Sequence, residues 1–201
     1  MRSAVASAAL AGSAYEIPDV RAGVVLDPVV HGALRVSQAL DGMATRWTRS
    51  PSQVLVKLHV LAATGSVPSE RLGLPRAGKD VGIRLTRLAD ALVNVPAGTP
   101  GLLVAAVVHG ELLVLAPFDG PSSVVARGAA RLTLIALGVD PRGLLAIDAA
   151  HLQRQPEYIG SSGAFATGTA DGLRSWFRHY ATAVQIAAVG LGETADEIAA
   201  A

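Results

Sequence analysis

The sequence predicts a single, mainly α-helical domain, and three observations lead there. Ala, Leu and Val fill 85 of the 201 positions, and the Ala and Leu content favours helix. Apolar residues recur at helical spacing between Gly and Pro punctuation rather than in strict alternation. A hydrophobic share of 51% against a charged share of 16% excludes disorder over most of the chain and supplies a core that can stand alone.

The elements follow in order. Residues 1–28 read as an N-terminal tail or short helix. Met1 to about Ser13 is mostly Ala and Ser, whose side chains bury little area, so it is expected to pack little or as an isolated helix. A helical domain spans 29–190. Its first face carries Val29, Val30, Ala33, Leu34, Leu40 and Met43 over 29–47. Ser50-Pro51-Ser52 then offers an N-cap with proline in the first turn of a helix over 54–63. The stretch 65–80 is loop-like and has room for at most a short β-hairpin. Residues 81–93 return to helix, and 96–100 turn.

Thr99-Pro100 opens the most apolar helix, running to about Leu115 and expected to be the most buried, with Val107 inside the core. Ala116 to Pro121 connects it to a helix over 122–137, stopped by Gly138 and Pro141. A segment near 156–165 and a long helix over 171–190 complete the domain, with 191–201 as a C-terminal tail.

Composition also removes several classes of function. Zero Cys excludes a disulfide framework, a thiolate zinc site and a cysteine nucleophile. A net charge of +1 leaves no electrostatic footprint for nucleic acid. Mean hydropathy is +0.42, yet the longest apolar run is interrupted well short of the roughly 20 residues a membrane span needs. A cytoplasmic location is the expectation. The five histidines include no i, i+4 metal pair, and His109, inside the apolar helix, reads as a hydrogen-bonded core histidine. Phosphate-loop, dinucleotide and nucleophile-elbow motifs do not occur.

The informative constellation is Ala116 to Arg131, APFDGPSSVVARGAAR. It is a tight turn feeding a helix start, with Asp119, Ser122 and Ser123 as cap formers and Gly120-Pro121 between them. A helix start exposes unpaired N–H groups and the positive end of the dipole, so it can hold an anion. Arg127 lies one turn in and leans back toward that point. The plainer reading makes these residues caps of a core helix and places Arg127 on a solvated face.

The stretch from Leu103 to Pro141 resembles the centre of the Fic (Fido) family, whose signature is His-Pro-Phe-x-Asp/Glu-Gly-Asn-Gly-Arg-x-x-Arg. The likeness runs loosely from about Val29 to Tyr180 and includes His109, Gly73-Leu74-Pro75-Arg76 near the family's flap, and Trp176-Phe177 in a late helix. Aligned without a gap, the motif is eroded. Ala116 stands for the base histidine, while Pro117 and Phe118 are retained. Gly120 stands for the metal-binding acid, with Asp119 one position early. Pro121-Ser122-Ser123 replaces the Gly-Asn-Gly cradle, Val124 the first arginine, and Arg127 keeps the second. No inhibitory Ser/Thr-x-x-x-Glu-Gly/Asn motif is evident.

Intact members transfer AMP or another phosphate-containing group to a protein hydroxyl. The resemblance therefore implies a Fic-like helical domain whose alanine cannot accept the hydroxyl proton, a loss worth about 10²–10⁴-fold by itself. The expectation is a pseudoenzyme: a non-catalytic binding or regulatory module for an unidentified protein partner, without a cofactor. Asp119, Gly120, Ser122, Ser123 and Arg127 would form a relic anion or nucleotide site of at most about millimolar affinity. The alternatives are a divergent transferase using ATP and magnesium, with Asp119 or His109 as base, and a purely structural helical domain. Assembly of several copies is left open.

Overall fold

The computed structural model describes residues 1–199, and among these eleven α-helices and no strand are found. α1 (Arg2–Ala9) and α2 (Ile17–Ala22) precede α3 (Pro28–Ala39), which starts at Asp27. The Asp27 carboxylate accepts the N–H groups of Val29 and Val30, so proline at the first helical position leaves no donor unmet. The face expected over 29–47 is broken after Leu40 by a 3₁₀ turn at Asp41–Met43, and α4 (Ala44–Trp47) follows. α5 (Pro51–Ala63), α6 (Lys79–Val93), α7 (Gly101–Leu115) and α8 (Ser122–Ala136) follow the expected order. α9 (Ile147–Gln153), hidden in what reads as a linker, leads to α10 (Gln155–Ala166) and α11 (Ala170–Ala199).

The stretch 65–80 holds a 3₁₀ turn at Ser69–Arg71 and one isolated antiparallel bridge, Pro75 to Phe118, in place of a hairpin. Arg76 N–H donates to the Pro117 carbonyl at 2.8 Å. The segment therefore pairs with the loop before α8 instead of with itself.

Two apolar clusters meet across the centre. One joins α3, α4, α5 and one side of α8 around Trp47, Leu58 and Leu132. The other joins α7, α9, α10 and α11 around Leu134, Trp176 and Tyr180. α8 belongs to both, and twelve of its fifteen residues are buried. Its small residues let neighbours approach closely. At Gly128 an added Cβ would stand 2.6 Å from Val36 Cγ1.

Two expectations are corrected. α7 is not the most buried helix, because Leu103 and Val107 are 40% and 38% exposed. Its outer stripe lines an apolar groove of about 180 Å³ with Leu92, Val95 and Pro96. Apolar character on all sides thus reflects a groove wall, and an aspartate at Val107 would meet solvent. The N-terminal segment is also not loose: Ser3 to Ala8 are all buried. Small side chains bury little area each but let the α1 backbone sit close against α3 and α9. Among the described residues no helix is long and apolar enough to cross a membrane.

Candidate functional site

The loop between α7 and α8 is shaped by an uncommon backbone. Ala116 caps α7 in the left-handed region, φ 42° and ψ 61°, where a non-glycine residue pays for its Cβ. It is the one non-glycine residue with positive φ among those described. Gly120 also has positive φ, 67°, and an added Cβ there would lie 2.6 Å from Val67 Cγ1. These two bends deliver Phe118 inward and turn Asp119 toward the segment from Arg71 to Arg76.

His59 of α5 locks that arrangement. Its ring stacks on Phe118, with centroids 4.5 Å apart and planes 15° apart. Nδ1 accepts the Gly73 N–H at 3.0 Å, so the proton resides on Nε2, which donates to the Asp119 carbonyl at 3.0 Å. Burial holds the imidazole below its ordinary value, against the opposing pull of the Asp119 carbonyl and carboxylate. Asp119 Oδ2 accepts from Arg71 Nε at 2.8 Å in a half-exposed pair, and Arg76 Nη2 donates to the Leu115 carbonyl at 3.0 Å.

The caps differ from the simplest expectation. No side chain caps α8. Asp119 is turned to Arg71, Ser122 Oγ accepts the Phe118 N–H at 3.4 Å, and Ser123 Oγ accepts from Arg127 Nη2 at 3.3 Å. Arg127 does lean back toward the helix start, yet it is only 1% exposed. Nε donates to Ser7 Oγ at 2.8 Å, Nη2 to the Ser7 carbonyl at 2.6 Å, and Nη1 to the Tyr158 hydroxyl at 3.4 Å. No carboxylate forms an ion pair with it among the described residues. Its charge is answered by polar oxygens of α1, α8 and α10.

The neighbourhood of Arg127 is unusually polar for a core. Asp148 accepts from Ser3 Oγ at 3.2 Å and lies 3.9 Å from Arg131. Burial raises its carboxyl, with Arg131 and Arg127 opposing. His109 Nε2 lies 3.0 Å from the Tyr158 hydroxyl, as a core histidine should. Burial, then the charges of Arg127 and His179, hold it well below the usual imidazole range.

Asp119, Gly120, Ser122, Ser123 and Arg127 therefore do share one loop and helix start. Asp119 is tied outward to Arg71, whereas Arg127 is drawn inward to Ser7. Sequence reasoning missed both clasps, His59 with Gly73 and Ser7 with Arg127. The one local signal was Ser3 and Ser7, spaced i, i+4 on an Ala-rich helix face. Among the described residues no group of three or more His, Asp or Glu side chains is placed to hold a metal ion. The loop offers a divalent cation one carboxylate, already engaged by a guanidinium, so its residues do not fit a magnesium site in this arrangement.

The architecture is a known one. A solved fragment of Fic-1 from C. elegans matches with a TM-score of 0.72 at 16% identity, covering 96% of this chain and 63% of its own length. A single-substitution form of the same fragment matches with a TM-score of 0.70 at the same identity and coverage. The chain thus has the Fic fold and spans less than two thirds of those structures. No family model matches the sequence, and no curated protein does.

Proposed function

We propose that this Fic-fold chain is a non-catalytic binding or regulatory module whose ancestral transfer site is shut. The observation that carries the reading is Arg127. The surviving motif arginine would have to present its guanidinium to a nucleotide phosphate, but its Nε and Nη2 are both engaged by Ser7 of α1. A buried cation held by several donors' worth of acceptors is costly to withdraw, because each bond to a charged group contributes about 1.5–3 kcal/mol.

The rest of the loop supports the same reading. By the resemblance, Ala116 occupies the position of the base, and an alkyl group accepts no proton. Val124 occupies the position of the first arginine and is buried among the core residues. Of the two substitute bases, His109 is enclosed against Tyr158 and Asp119 is paired with Arg71. His109, 1% exposed, is out of reach of an incoming hydroxyl, and of the Asp119 carboxylate only Oδ1 is left, beside the Arg71 guanidinium. What remains on the outside is the clasp of Arg71, Gly73 and Arg76 over the loop, a surface that a protein partner could read.

The test is transfer from labelled ATP, with magnesium, to the protein itself and to a panel of test proteins. No incorporation above a denatured control is expected. Robust labelling that disappears in Asp119→Ala or His109→Ala would replace this reading with a divergent transferase.

A further inference from the structure

A second polar site lies away from the α8 loop and shares none of its residues. Between α10 and α11 is a surface cavity of about 370 Å³, within the range of small-ligand pockets. Arg154 and Glu157 line it from one side, and Arg178 and His179 from the other. Arg154 Nη2 pairs with Glu157 Oε1 at 3.2 Å, so the single carboxylate of the lining answers one guanidinium. Arg178 has no ion-pair partner among the described residues. Arg154 Nε is enclosed and has no hydrogen-bond acceptor. The cavity therefore carries a positive excess, and one of its lining guanidinium groups keeps an enclosed N–H without an acceptor.

His179 adds a third donor. It is only 7% exposed yet lines the cavity. Its Nε2 lies 3.0 Å from His151 Nδ1, which leaves Nδ1 as the nitrogen available to a ligand. The Ser161 and Thr182 hydroxyls donate to the Tyr158 and Arg178 carbonyls, so they compete little for an anion's oxygens as donors. We propose that this cavity binds a small dianionic oxyanion, a phosphoryl or sulfate group, through Arg178, Arg154 and His179.

The histidine pair makes such binding pH-linked. Arg154, the residue before α10, and Glu157 and Tyr158 of α10 face His179, Arg178 adjoins it on α11, and His151 of α9 lies behind it with His109 of α7 beyond. Burial and then Arg154 lower the His179 imidazole, with Glu157 opposing. A bound dianion adds negative charge beside the ring and draws a proton onto it. Binding then takes up a proton, so affinity rises as pH falls. His151 accommodates either state. It donates from Nδ1 when His179 is neutral with its proton on Nδ1, and accepts there when His179 is charged.

Calorimetric titration of the full chain with sulfate, which stays dianionic throughout, tests this at about pH 6 and about pH 8, on either side of the ordinary histidine value. Saturable 1:1 binding is expected, several-fold tighter at the lower pH. The exposed Arg178→Gln should weaken it about tenfold, the scale of one charge-assisted hydrogen bond. His179→Gln should abolish the pH dependence while retaining weak binding. Inorganic phosphate and phenyl phosphate identify the source: a tighter monoester marks the head group of a larger ligand, and tighter phosphate marks the free ion. Absence of saturable binding at the lower pH overturns the proposal. So does binding that Arg178→Gln leaves unchanged, and that variant cannot fail merely by emptying the core.

Discussion

Acid should destabilise this protein well before its carboxylates titrate, because His109 and His151 are enclosed in the neutral form. Burial is the main cause of both depressed values, reinforced by Arg127 and His179 around His109 and by His109, His179 and Arg127 around His151. The sign follows from linkage. The unfolded chain takes up these protons near pH 6.5, the folded chain only well below it, so stability is full above about 6.5 and is lost as pH falls. At pH 5.5 each site that stays neutral in the fold lowers stability by RT ln 11, about 1.4 kcal/mol, or about 2.8 kcal/mol for the pair. That is a sizeable part of the about 5–15 kcal/mol typical of a domain. His59 and His179, also lowered by burial, act in the same direction. Urea midpoints measured at about pH 7.5, 6.5 and 5.5 report the loss directly, provided the m-value is constant. His109→Phe, which keeps an aromatic ring among Trp176 and Tyr180, should flatten the pH slope. A midpoint unchanged from 7.5 to 5.5, or a slope indifferent to His109→Phe, would refute the reasoning.

Two substitutions test the clasp around the α8 loop. Ser7→Ala removes the acceptor of Arg127 Nε and should cost about 1.5–3 kcal/mol, or roughly 3–12 °C in Tm for a domain of this size. A variant melting like the wild type would mean that α1 does not hold Arg127 in solution. Ala116→Gly relieves the left-handed strain at the end of α7, worth about 1–2 kcal/mol, against about 0.4–1 kcal/mol of added unfolded-chain entropy. A modest gain in urea midpoint is expected, and a loss would show that the bend is not strained.

The helices that were legible in the sequence are those whose local chemistry and tertiary role agree. α5 begins where Ser50-Pro51 places it, and α8 ends before Gly138, whose φ of 73° suits a helix stop. Legibility fails where packing depends on what lies across the contact. α7 looks central by composition, yet four of its apolar residues, Leu103, Val104, Val107 and Val108, form the wall of an open groove. α1 looks peripheral because Ala and Ser contribute little area, yet the same smallness lets its backbone reach the core.

Arg127 shows the limit most directly. Its lean toward the helix start follows from helix geometry alone, and the bond to Ser123 four residues earlier realises it. Whether that guanidinium meets an anion or a protein oxygen was decided by Ser7, 120 residues upstream, through a contact that no local pattern encodes. The carbonyl of Ser7 accepts from the same group, so even a side-chain substitution at position 7 leaves part of the clasp in place. For an anion to reach Arg127, the α1 backbone itself would have to withdraw from the core. The burial of Ser3 to Ala8 sets that cost, and under the reading proposed above it is this cost, more than the identity of any one loop residue, that would keep the site shut.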